Sequence, residues 1–270
     1  MGTPRGRRFL PRLRTVLAVG AVVSFASLLL VGAYTSEQFT PDSRGAGTLV
    51  RKTVPQSIQE GGPIVNATGP KPQSYQLPPM TIALTFDDGP DPTWTPQVLA
   101  VLRRHHVHGT FFVLGSRVAQ YPEIAMRTVA AGNEIGAHTF THPDLARLGQ
   151  RQLSVELSLT QLAIAGATGM TTSLLREPYS SGASSIDDPS WSVIRDAGRL
   201  GYLTVVADND SRDWSETDVP TIVHNATPDD RAGSVVLWHD AGGNRARTVA
   251  ALDQYIPKML ARGYRFTTVS

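Results

Sequence analysis

Thr81-Ile82-Ala83-Leu84-Thr85-Phe86-Asp87-Asp88-Gly89-Pro90 opens as a strand and closes as a turn. Apolar residues alternate at Ile82, Leu84 and Phe86, the two-residue period of a strand, and the run then breaks at paired aspartates into Gly-Pro. An Asp-Asp-Gly-Pro run is ordinarily just a turn. At the end of a strand in an α/β fold it is also where side chains that carry chemistry collect.

Working outward, strands and helices are expected to alternate. Helix 96–105 has Pro96 in its first turn. Strand 110–114, helix 122–131 ended by Gly132, and strand 134–137 follow. A helix over 150–166 carries Leu153, Leu157, Leu162 and Ile164 as its stripe, and a short strand over 173–175 comes next. Helix 189–197, strand 203–207, helix 219–225, strand 235–238, helix 248–261 and strand 265–269 complete the series. Repeated βα units imply a mostly parallel sheet with outer helices, and the count falls near seven. Periodicity alone does not separate a barrel from an open sheet.

A second run, His138-Thr139-Phe140-Thr141-His142-Pro143, places two imidazoles four residues apart. On one turn of helix they would share a face, and a carboxylate from a neighbouring strand end would complete a His, His, Asp set for a divalent metal. Such a pair is more often solvated than ligating. Three further polar runs weigh against accident: Arg176-Glu177-Pro178-Tyr179, Asp210-Ser211-Arg212-Asp213-Trp214 and Leu237-Trp238-His239 each fall at an expected strand end.

These five clusters, in this order, resemble the polysaccharide deacetylases with a NodB-like domain, carbohydrate esterase family four, from about Met80 to Ser270. The resemblance implies an irregular (β/α)7 barrel. It implies that Asp88, His138 and His142 hold a metal, best suited to Zn2+ with Co2+, Ni2+ or Mn2+ able to substitute, and that Asp87 is the base. His239 would be the acid that protonates the leaving amine, held by Asp213, while Arg176 would pair with Asp87 and the backbone N–H of Tyr179 would meet the oxyanion. Trp214 and Leu237 would wall the acetyl pocket, although a strand-end leucine is ordinarily core. Trp238 either packs on a helix or stacks on a sugar. One departure stands out: the family commonly has proline where this chain has Glu177, which would set a negative charge beside the oxyanion donor.

The front of the chain has a different character. Residues 1–14 carry Arg5, Arg7, Arg8, Arg12 and Arg14 with no acid, and Thr15–Ala33 is almost unbroken apolar sequence. It reads as a transmembrane anchor or as a signal peptide cut after Ala33, placing the rest outside the cytoplasm. Residues 34–79, rich in Pro, Gly and Ser, are expected to be a linker, and 80–270 the catalytic domain. The pI near 9.0 does not indicate nucleic acid: setting those five arginines aside turns the net charge of +2 into −3 for residues 34–270. With no cysteine, disulfides and thiolate metal sites are excluded.

The remaining histidines read plainly. His105-His106-Val107-His108 follows a helix, on the face away from the clusters, and His224 lies in a polar helix. Asn66-Ala67-Thr68 and Asn225-Ala226-Thr227 match a glycosylation acceptor only weakly. The expectation is therefore a metal-dependent deacetylase of an N-acetylated envelope polysaccharide, such as chitin-like polymer, peptidoglycan or poly-N-acetylglucosamine. An acetyl-xylan type esterase and a catalytically impaired carbohydrate-binding homologue are the alternatives. The resemblance also leaves room for a glycan-synthesising partner.

Overall fold

The computed structural model describes residues 53–270 apart from Ser181 and Asp230. The expected anchor or signal over 1–33 and the linker over 34–52 lie outside the described residues, and no described helix is long and apolar enough to cross a membrane. The elements run α1 (Gln56–Gln59), β1 (Ile64–Asn66), β2 (Gln73–Tyr75), β3 (Thr81–Asp87), α2 (Thr95–Arg104), β4 (Thr110–Val113), α3 (Gly115–Gln120), α4 (Pro122–Ala130) and β5 (Glu134–Ala137). They continue with α5 (Gln150–Thr168), β6 (Leu174–Leu175), α6 (Asp188–Arg199), β7 (Leu203–Val205), β8 (Asn209–Asp210), α7 (Val219–Asn225), β9 (Ser234–His239), α8 (Ala246–Ala261) and β10 (Arg265–Thr267).

The protein is an α/β fold around a mostly parallel sheet. Strand order is β2-β1-β7-β6-β5-β4-β3-β9-β8, with β10 paired to β3. The links from β7 through β8 are all parallel. Yet β7 and β8, at opposite ends of that parallel run, are separated in sequence only by Val206–Asp208. Four peptide steps reach at most about 14 Å, whereas six strand spacings would carry a flat sheet about 29 Å. The sheet must therefore curl until its ends approach.

The curl gives the strands an inside and an outside, and their alternation sorts the side chains. Ile82, Leu84 and Phe86 of β3 and Val236 and Trp238 of β9 face the helices, in one core with Val98, Leu102, Leu252 and Tyr255. Ala83, Phe112, Leu174, Val205 and Val235 fill the interior. Asp87 and Leu237 continue the interior rows of β3 and β9 towards the C-terminal rim. Trp238 is fully buried, with its ring edge-on to Tyr255 at 5.4 Å, so it packs on α8.

Three expectations need correction. Residues 53–79 are not tether: β1 pairs antiparallel with both β2 and β7, and Val54, Ile58, Val65 and Ala67 pack with Trp191 and Ile194 of α6. Prolines punctuate this stretch, but its apolar residues are covered by tertiary contacts that no local pattern announces. Leu162 does not belong to the buried stripe of α5, which is Leu153, Leu157, Thr160 and Ile164; Leu162 is exposed. The strand expected over 203–207 ends at Val205 and restarts as β8, which pairs with β9.

Candidate active site

All five polar clusters lie at the C-terminal rim, and register explains why. Asp87 is level with His239 across the β3–β9 pair, and Ala137 is level with Leu175 across β5–β6, so His138 and Arg176 leave adjacent strands side by side. His138 and His142 do converge with Asp88, but not on a helix. The segment 138–142 is irregular, with Thr139 at φ +70° and His142 at +64°, both left-handed, and Asp88 is likewise at +76°. Glu156 of α5 secures the segment by accepting from the N–H groups of Phe140 and Thr141 and from the Thr141 hydroxyl. Left-handed non-glycine residues carry strain that packing must hold, and they concentrate where geometry matters for function.

One ligand atom from each of Asp88, His138 and His142 lies within 4.8 Å of the others. Asp88 Oδ1 stands 3.6 Å from His138 Nε2 and 3.3 Å from His142 Nε2. Two ligands bound at about 2.1 Å in tetrahedral array would be about 3.4 Å apart. His138 Nδ1 lies 2.9 Å from the Arg176 carbonyl oxygen. A carbonyl only accepts, so Nδ1 carries the proton and Nε2 turns its lone pair towards Asp88. Burial, followed by the neighbouring His138, holds the His142 pKa below the ordinary histidine value, which favours the neutral, ligating form. These residues fit a divalent cation.

Two buried ion pairs flank the set. Arg176, only 1% exposed, donates from Nη1 to Asp87 Oδ1 at 2.9 Å and to Thr85 Oγ1 at 2.7 Å, and from Nε to the Val205 carbonyl at 3.1 Å. Its guanidinium lies 4.4 Å over the Phe112 ring. On the other side His239 Nδ1 meets Asp213 Oδ1 at 2.8 Å, while Asp213 Oδ2 accepts from the His239 N–H and the Thr248 hydroxyl. Burial works against the His239 imidazolium, but the Asp213 hydrogen bond and charge, with Asp87 and Asp88 beyond, outweigh it and raise the pKa to about 9. Burial pushes Asp213 up, and the bonds from His239 and Thr248 bring it net below the usual carboxylate range. Thr85 and Thr248 went unrecognised in the sequence, because a threonine within a strand or helix pattern carries no signal of its partner.

Tyr179, with φ +64° and a largely exposed ring, stands edge-on to His142 at 4.7 Å. Trp214 is exposed on the rim, and Leu237 is buried at the level of Thr85. Glu177 is buried. Burial first, then the charges of Asp144 and Asp187, raise its pKa to about 8, so it is neutral at pH 7. The negative charge expected there is thus absent at neutral pH. His105 instead pairs with Asp253 at 2.8 Å, and His224 is exposed.

Residues 74–202 match the family model described as polysaccharide deacetylase. The chain is 37% identical over 193 residues to a peptidoglycan-N-acetylglucosamine deacetylase of Bacillus cereus, covering 70% of this chain and 86% of that protein. It is 36% identical over 197 residues to a chitooligosaccharide deacetylase of Sinorhizobium fredii, covering 68% and 87%. Among solved structures, the Bc1960 peptidoglycan N-acetylglucosamine deacetylase superposes with a TM-score of 0.65 at 33% identity, over 71% of this chain and 86% of that one.

Proposed function

The chain belongs to the polysaccharide deacetylase family, and from that premise we propose that it removes N-acetyl groups from sugars of a cell-envelope polysaccharide, in a metal-dependent hydrolysis outside the cytoplasm. The curled sheet is read as the family's irregular (β/α)7 barrel, with 1–33 as anchor or signal. The observation that carries the reading is the meeting, at one rim, of the Asp88, His138, His142 set with an Asp87–Arg176 pair and an Asp213–His239 pair.

Each residue has a role by position. A divalent cation, Zn2+ by donor chemistry, supplies Lewis-acid polarisation of water and of the acetyl carbonyl when bound by Asp88, His138 and His142. Asp87 takes the proton of the attacking water; Arg176, bound to Oδ1, leaves Oδ2 free to accept it. His239, still protonated at neutral pH, gives its proton to the departing amine, which leaves poorly without one. Asp213 holds the His239 ring and Thr248 holds Asp213. The Tyr179 N–H meets the developing oxyanion, and Trp214 and Leu237 flank the acetyl group.

Acetate release from chito-oligosaccharides, peptidoglycan and acetyl-xylan, with and without a chelator, tests the proposal. Chelator-sensitive release from an N-acetylated polymer is expected. Release from acetyl-xylan alone would replace it with an O-acetyl esterase, and no release from any polymer would favour a binding homologue.

A further inference from the structure

Asp240 directly follows His239 and is fully buried. Its backbone N–H donates to the Asp87 carbonyl at 3.2 Å. Its Oδ2 accepts from the Thr95 hydroxyl at 2.5 Å, and Thr95 Oγ1 in turn accepts from the Asp91 N–H at 2.8 Å. The carboxylate sits against the backbone of the Asp88-Gly89 turn: a Cβ built on Gly89 would stand 2.4 Å from Oδ2 and 2.5 Å from Oδ1. Only glycine leaves room for it. Oδ1 has no hydrogen-bond partner among the described residues, so the carboxyl is buried with an incomplete set of bonds. Two residues on, Gly242, at φ +75°, also packs against Asp88: a Cβ built on it would stand 2.7 Å from Asp88 Oδ2.

The segment after His239 thus packs against the aspartate turn at two points, Asp240 on Gly89 and Gly242 on Asp88. A carboxylate that must present one oxygen to two imidazoles, from a left-handed backbone, needs such support. Resting on the metal reading above, we propose that Asp240, through Thr95, is a positioning residue that fixes the Asp87-Asp88-Gly89 turn against the end of β9 and so sets both Asp88 as a ligand and the spacing between Asp87 and His239. Its carboxyl is fully buried, so its effect passes through the turn it holds. Supporting groups of this kind are commonly worth 10- to 100-fold in metal affinity or activity.

The test compares Thr95→Val, close in shape but unable to donate to Asp240, with Thr95→Ser, which restores the hydroxyl, and with Asp240→Ala. Zn2+ affinity is measured by titration of the apo protein, and kcat and KM on an N-acetylated oligosaccharide. Thr95→Val and Asp240→Ala are each expected to bind Zn2+ at least about tenfold more weakly and to lose at least about tenfold in kcat at unchanged KM, with Thr95→Ser within about threefold of wild type. A folded Thr95→Val protein with wild-type Zn2+ affinity and kcat overturns the proposal, whatever its melting temperature, because Thr95 and Asp240 would then only add stability. Wild-type protein that binds none of Zn2+, Co2+, Ni2+ and Mn2+ would overturn the metal reading itself, and this inference with it.

Discussion

Glu177→Gln is the perturbation whose size follows most directly from the structure. Glutamine keeps the shape and cannot ionise. In the folded protein Glu177 holds its proton to about pH 8, against an ordinary value near 4.5, a gap of roughly 5 kcal/mol at 1.36 kcal/mol per pH unit. Because the folded state binds this proton more tightly than the unfolded chain, the Glu177 contribution is fully present below about pH 4.5, declines as pH rises, and levels off above about 8. Replacing Glu177 removes that decline. Urea denaturation of both proteins between pH 5 and pH 9 should therefore show Glu177→Gln gaining steadily on wild type, by several kcal/mol at pH 9. The same ionisation would place a charge next to Tyr179, so the alkaline fall in wild-type kcat/KM is expected to begin near pH 8 and to move up towards pH 9, the range of His239, in the variant. A stability difference that stays flat across pH 5–9 would refute the argument, since it would mean that Glu177 ionises as it does in water.

Asp88→Asn and His138→Ala should each lose bound metal and activity with the fold intact, and full metal content in either purified variant would contradict the ligand assignment. Asp87→Asn should keep its metal and lose about 10²-fold or more in turnover, because a base and not a ligand has gone; metal loss in proportion to activity would show that the two aspartates have exchanged roles. His239→Ala should cost at least about 10²-fold on an N-acetyl substrate but much less on an activated aryl acetate, whose phenolate leaves unaided. Equal losses on both substrates would make His239 a structural group.

Much of this was legible in residues. The alternation through Ile82, Leu84 and Phe86 located β3 to within one residue, and the five clusters marked the rim because strands end where the apolar run stops. What escaped was tertiary in origin. The convergence of His138 and His142 depends on left-handed backbone at Thr139 and His142, conformations that a four-residue spacing does not announce, so the spacing suggested a helix that does not exist. Helix α3 and strands β1, β2 and β8 are too short for periodicity to register. The neutrality of Glu177 arises from burial beside Asp144 and Asp187, which lie far from it in sequence or on another loop. Asp240, the residue just beyond β9, drew no notice in the sequence, because a single acid after a strand end carries no sign that it is buried.

The pairing of β1 with β7 bears on where the enzyme can be cut. A chain begun at Met80, the boundary that composition suggests, would strip β7 of its antiparallel neighbour along Ile64–Asn66 and uncover Trp191 and Ile194. The bare edge would offer unpaired N–H and C=O groups to any passing strand, the usual route to self-association. The residues that look like leash thus serve as a hem, and recombinant versions should start upstream of Val54 if they are to stay monodisperse.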